Sequence, residues 1–333
     1  MKSIIVILPY FGKFPNYFKF WLTSCANNNT VNFLIFTDVH LDNFDKYENI
    51  EFVSLSFDEF KEKFINYFPF KVSLDNPYKL CDFRPFYGVV LSDYVSGYDF
   101  WGYCDCDMIF GDIRKFATNE LLNSVNKFLT LGHFSLHRTI DSEYLPLLDL
   151  IKVKDKYSYI DVLSNNKNFA IDEYDSKGLS YVYLKNKPEK IYTGFTSEQS
   201  IFDDVNIFNF FFRDNLKDKN ILFFNSNFLF YRYVQGKLER VVLRKFSIIK
   251  QEILYVHLMK RKFNIKTSNF DSFCIVPNQF IFSCKDSNYI FYIKYFVLNI
   301  FSITNLKYFI RRFRIKIKIG QKINYILCLI KKN

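Results

Sequence analysis

A chain of 333 residues, 49% hydrophobic and 24% charged, has core enough for one large domain or two closely packed ones, which excludes a disordered or fibrous protein. Its formal net charge of +11 is unevenly spread. Residues 286–333 hold ten basic side chains against one acidic, Asp286, so a nearly neutral body carries a basic tail.

In chain order, Ile4–Leu8 is an apolar run closed by Pro9, the pattern of a strand buried on both faces. A helix is expected over Asn16–Cys25, where Phe18, Trp21 and Leu22 share one face. Apolar runs at Val31–Phe36 and Ile50–Leu55 predict two more strands, and a charged amphipathic helix follows from Asp58 to Phe68. A further helix is expected over Pro85–Tyr94 and a fourth strand over Trp101–Cys106. This alternation implies βαβ units, hence an α/β fold with a mainly parallel central sheet flanked by helices. Lys127–Gly132 and Leu254–His257 read as later strands, whereas residues 140–250 mix helix and strand signals.

The aromatic content of 20% follows from A/T-rich codons and is not read as a carbohydrate platform. Seven cysteines, an odd number without zinc-like spacing, and the lack of a secretory leader point to reduced thiols in a cytosol. Neither a Gly-x-Gly-x-x-Gly nor a Walker lysine loop is present, which argues against dinucleotide oxidoreductases and P-loop ATPases. In the tail, Tyr289–Ile303 is apolar but shorter than the ~20 residues that span a bilayer. Arg311–Ile319 alternates cations with apolar residues, which suits an anionic bilayer surface.

The motif that carries chemistry is Trp101-Gly102-Tyr103-Cys104-Asp105-Cys106-Asp107. On a strand, Asp105 and Asp107 would project to one face and the two cysteines to the other. Carboxylates in apolar surroundings need a positive partner. A divalent cation carrying a diphosphate would supply it, since Mg²⁺ and Mn²⁺ favour carboxylate and phosphate oxygens. The plain alternative is a solvated strand end. In parallel sheets ligands gather beyond the carboxyl ends of strands, where Pro9-Tyr10-Phe11-Gly12, Thr37-Asp38 and Asp105-x-Asp107 all fall.

The block Asn76-Pro77-Tyr78-Lys79-Leu80-Cys81-Asp82-Phe83-Arg84-Pro85, followed by the Asp-x-Asp, resembles the GT-A-type glycosyltransferases of bacterial capsule and lipopolysaccharide biosynthesis. The resemblance runs from residue 3 to about residue 265 and leaves the basic tail outside it. It implies a GT-A-like fold with a nucleotide-sugar-binding half (1–115) and an acceptor-binding, catalytic half (116–285), whereas the membrane-associating tail (286–333) is expected from its charge and length alone. On matching residues it implies that Asp105, Asp107 and His257 hold Mn²⁺ or Mg²⁺. Lys79, Asp82 and Arg84 would meet the donor phosphates and sugar, while Pro9, Tyr10, Phe11, Gly12, Thr37 and Asp38 would hold the nucleoside. Lys260 and Arg261 would steady the leaving diphosphate. If the reaction inverts, Asp172 or Glu173 takes the acceptor's proton, with Asp172 preferred and Glu198, Asp203 and Asp204 in reserve. A retaining reaction needs no such base. His133 is a candidate acceptor contact.

Each assignment has a structural counterpart: a surface ion pair for Lys79, Asp82 and Arg84, a satisfied core histidine for His257, a solvated turn for Asp172-Glu173. The expectation is a cytoplasmic hexosyltransferase, peripheral at the inner face of the bacterial membrane. It would move sugar from a nucleotide diphosphate sugar, first a UDP-sugar, to a lipid-linked glycan, with no nucleic-acid partner. The rivals are a nucleotidyltransferase acting on a sugar phosphate and a non-enzymatic basic membrane- or RNA-binding protein.

Overall fold

In the computed structural model, the described residues are 1–40, 46–194, 200–204, 228–244, 247–259, 262–276 and 278–282. Strands β1 (Ile4–Pro9), β2 (Asn32–Thr37), β3 (Ile50–Ser54) and β4 (Phe100–Cys104) run parallel in the spatial order β3-β2-β1-β4. β5 (Met108–Phe110) leaves this sheet. β6 (Lys127–Leu131), β7 (Phe134–Arg138) and β8 (Ile191–Tyr192) complete it, with β7 antiparallel to both β4 and β6. The expected α/β architecture with a mainly parallel central sheet is thus present, and strands from both sides of residue 115 share that sheet.

Two smaller sheets follow. β9 (Phe202–Asp204) belongs to one; β10 (Phe228–Val234), β11 (Lys237–Arg244) and β12 (Ser247–Glu252) belong to the other. β13 (Tyr255–His257) lies between β5 and β9 in a three-stranded sheet. β14 (Asn264–Ile265), β15 (Ser272–Val276) and β16 (Gln279–Phe282) complete a six-stranded sheet in the order β12-β11-β10-β15-β16-β14. The β10–β11 hairpin turns through Gln235 and Gly236, both at positive φ (47° and 85°), which is the twist a two-residue hairpin requires.

Helix α1 (Phe18–Ala26) explains how these layers join. Phe18, Trp21, Leu22 and Cys25 pack in the core of the central sheet, while Tyr17, just before the helix, and Phe20 pack with Tyr231, Tyr233 and Phe273 of the six-stranded sheet. A helix apolar on both sides has to be buried on both sides. On the other face of the central sheet, α2 (Phe57–Tyr67) starts with a Ser56/Glu59 capping box and buries Phe60 and Phe64.

The helix expected over Pro85–Tyr94 is instead a 3₁₀ run, Pro77–Phe86, followed by two four-residue helical turns, Tyr87–Val90 and Ser92–Val95. Pro85 lies inside the 3₁₀ run, lacks an N–H and clashes with the preceding turn of an α-helix.

A buried basic pair lies between β6 and β7: the Lys127 Nζ stands 3.2 Å from His137 Nε2, and neither residue reaches solvent. Burial drives the Lys127 pKa down to about 7. Above that pH the unfolded chain binds the proton that the folded chain has lost, so stability rises with pH up to the ordinary lysine value. Chemical denaturation between about pH 7 and about pH 10 should show this slope, and Lys127→Met should flatten it.

Candidate active site

β4 ends at Cys104, so Asp105 and Asp107 lie on a bend beyond the strand and the expected strand alternation does not account for them. Chain pairing brings them together instead. The Asp105 N–H donates to the His133 carbonyl (3.0 Å), and the chain then turns into β5, which pairs antiparallel with β13 and sets Met108 opposite His257. The Leu258 N–H donates to the Asp107 carbonyl at 2.6 Å. As a result one ligand atom each of Asp105, Asp107 and His257 lies within 4.8 Å of the others, and His257 Nε2 is 3.5 Å from Asp107 Oδ2. Two carboxylate oxygens with one imidazole nitrogen is a donor set suited to a divalent cation, and the imidazole suits Mn²⁺ better than Mg²⁺. His133 stacks on His257 with ring centroids 4.2 Å apart, and its Nε2 is 2.9 Å from the Tyr255 hydroxyl. These contacts fix the plane in which His257 meets the carboxylates.

Arg84 joins this group to a second pair of acids. Its Nη2 donates to Asp105, and its Nη1 donates to the Gly132 carbonyl and to Asp172 Oδ2 (3.2 Å). Asp172 is 1% exposed, and burial raises its pKa despite the guanidinium. Glu173 is half-buried, and burial together with the Asp172 charge pushes its pKa up to about 7. Of the two acids, Glu173 is the more exposed and Asp172, preferred from sequence, the more buried. Gly132 leaves room for both: a Cβ there would lie 2.8 Å from Asp172 Oδ2 and 2.8 Å from Glu173 Oε1. We expect Gly132→Ala to displace the Glu173 carboxylate. The Glu173 titration should then move away from about 7, which ¹³C-detected titration would read, while the convergence of Asp105, Asp107 and His257 stays intact.

Asp105 and Asp107 stand on the wall of a cleft of about 780 Å³ that Pro9, Tyr10, Phe11, Tyr17, Tyr78 and Arg84 also line. Lys13 and Lys262, which sequence reasoning did not single out, line it too. Asp38 is exposed and its Oδ1 accepts the Gly12 N–H at 2.7 Å, tethering a turn whose φ of +93° favours glycine. Thr37 is buried, and its hydroxyl accepts from the Val39 N–H. Lys79 and Asp82, expected at the donor, are wholly buried and do not line the cleft. All three Lys79 ammonium donors are engaged by Asp82 and by the carbonyls of Val162 and Lys167, so none is left for a phosphate. Asp203 is held by Arg240 through both carboxylate oxygens. Lys260, Arg261, Glu198 and the tail 286–333 lie outside the described residues, as does the Asp204 side chain.

The sequence pattern of a protein family described as of unknown function (DUF6625) matches residues 6–283. The chain belongs to that family. No protein with a curated description matches. Among solved structures, the chain is similar to mouse xyloside xylosyltransferase 1 in its apo form (8% identity, 62% of this chain and 88% of that one, TM-score 0.37). It is also similar to an active-site mutant of LgtC (10% identity, 78% and 88%, TM-score 0.39). A third is the glycosyltransferase GlyE of Streptococcus pneumoniae (11% identity, 58% and 44%, TM-score 0.30). Among the described residues, no helix is long and apolar enough to cross a membrane.

Proposed function

We propose that this protein is a metal-dependent glycosyltransferase of GT-A type, moving a hexose from a nucleotide diphosphate sugar to a glycan acceptor. The observation that carries the reading is the convergence of Asp105, Asp107 and His257 donor atoms within 4.8 Å beside an aromatic cleft at the carboxyl ends of β1 and β4. A divalent cation bound there supplies positive charge to a leaving diphosphate, the kind of stabilisation that usually dominates such reactions. Pro9, Tyr10 and Phe11 offer apolar surface to the nucleoside. Lys13 and Lys262 stand on the same cleft to meet phosphate oxygens. Glu173, held near neutrality, takes the proton of the acceptor hydroxyl. A UDP-sugar is the first donor to try. A lipid-linked acceptor, work at the inner face of a bacterial membrane and a place in capsule or lipopolysaccharide synthesis rest on the basic sequence of residues 286–333 and the family resemblance.

Thermal unfolding of the full chain with UDP and Mn²⁺ tests the site. Ligand at 100 times its dissociation constant adds about 2.7 kcal/mol, so the wild type should melt measurably higher. Asp107→Asn should abolish the shift. No shift with UDP, GDP or any other nucleoside diphosphate would overturn the reading. Release of nucleoside diphosphate rather than pyrophosphate would separate it from nucleotidyl transfer.

A further inference from the structure

The Lys79-x-x-Asp82 pair does not reach the cleft, yet it is tied to the segment that ends at Asp172-Glu173. Asp82 accepts the Phe169 N–H (2.9 Å to Oδ2) and the Ile171 N–H (3.3 Å to Oδ1). Between those two donors sits Ala170 with φ of +53°. Successive N–H groups flanking a left-handed residue form a concave anion-binding nest, and here the bound anion is a side chain of the protein itself. Lys79 neutralises that anion at 2.8 Å and pins the other end of the segment through the Val162 and Lys167 carbonyls.

Just beyond the nest the chain remains held. The Ile171 carbonyl accepts the Leu179 N–H at 2.7 Å, and the Asp172 carbonyl accepts the Ser180 hydroxyl at 2.7 Å. Asp82 and Arg84 belong to one 3₁₀ run (Pro77–Phe86), so that run grips the segment twice, by the backbone at Asp82 and by the Asp172 carboxylate at Arg84.

We infer that Lys79 and Asp82 are positioning residues that set the acid pair Asp172-Glu173 from below, rather than groups that meet the donor. A buried, fully hydrogen-bonded ion pair contributes little net stability compared with an apolar pair of similar volume, but it defines one geometry. A misplacement of about 1 Å at a reacting group costs about a hundredfold in rate, so such a support has a catalytic consequence. The inference rests on the proposed role of Glu173, and its test reads the geometry independently of turnover.

The experiment compares the full-length wild type with two variants. Lys79→Met/Asp82→Leu removes both charges together, leaving no unpaired ion. Ala170→Val leaves the pair intact and places a β-branched residue at a φ it rarely adopts. For each, amide hydrogen exchange of residues 168–173, ¹³C titration of the Glu173 carboxyl, the UDP–Mn²⁺ melting shift, and kcat and KM on a soluble acceptor are measured. In both variants exchange at Phe169 and Ile171 should accelerate, and the Glu173 titration should move down from about 7. The kcat should fall about tenfold to a hundredfold with donor KM little changed and the UDP–Mn²⁺ shift intact. Unchanged exchange and an unchanged Glu173 titration would overturn the positioning role. Loss of the UDP–Mn²⁺ shift in the double variant alone would return the motif to the donor. If the wild type neither binds nucleotide nor turns over, the transferase reading fails, while exchange and titration still decide whether the pair sets the acids.

Discussion

Glu173→Gln should lower turnover on a soluble acceptor by about 10²–10⁴-fold, the range for losing a general base. It should leave the UDP–Mn²⁺ melting shift in place, since the converging donor atoms belong to Asp105, Asp107 and His257 and not to Glu173. The pH profile makes the prediction specific. With its pKa at about 7, the wild-type carboxyl has to lose its proton before it can accept one, so turnover should rise with pH through that value. The residual activity of the variant should lack this limb. Stability moves in the opposite sense. Because the folded state raises the carboxyl's pKa, it binds more protons than the unfolded state between the ordinary glutamate value and about 7. This group therefore favours folding as pH falls through that window, a contribution that Gln removes. Full wild-type turnover in Glu173→Gln would assign the base elsewhere.

Arg84→Met should destabilise the protein by about 3–5 kcal/mol, because it strands two carboxylates packed around a buried guanidinium. Asp172 is wholly buried, so part of that loss should be recovered by its protonation at low pH. Mn²⁺ offers the second route to rescue, since it would supply to Asp105 the positive charge that Arg84 provides. Melting of Arg84→Met with and without Mn²⁺, at acid and neutral pH, should show both effects. A variant as stable as the wild type and indifferent to Mn²⁺ would mean that Arg84 does not neutralise the site.

Much of the central architecture was legible in the sequence. The runs at Ile4–Leu8, Val31–Phe36 and Ile50–Leu55 appear as β1, β2 and β3 with shifts of one residue at most at either end. β1 and β2, buried on both faces, leave a nearly uninterrupted apolar signature, while the edge strand β3 carries an exposed Glu51 within its run. The six-stranded sheet was illegible for the opposite reason: its first hairpin turns at Gln235-Gly236, which is not a strong turn dipeptide, and β10 is aromatic along most of its length. The site was half legible. Asp105 and Asp107 were found by an argument from strand alternation that the bend after Cys104 overrides, and their convergence with His257 depends on the β5–β13 pairing. No local pattern announces a contact between residues so far apart. The Lys79-x-x-Asp82-x-Arg84 spacing drew attention to a real structural unit. Its burial, which decides between phosphate binding and internal support, is a tertiary property that spacing does not encode.

The β5–β13 pairing also has a consequence for the order of events during synthesis. The two aspartates leave the ribosome about 150 residues before the histidine that completes their cluster. Non-local pairings of this kind form late, after the loop between them has closed. A nascent chain released before β13 can carry the whole β3-β2-β1-β4 core and still hold the two carboxylates without the imidazole, with Asp105 bound to Arg84. On the proposed metal role, the three-donor cluster exists only once translation has passed residue 257, and an early-terminated chain should be unable to retain an added divalent ion.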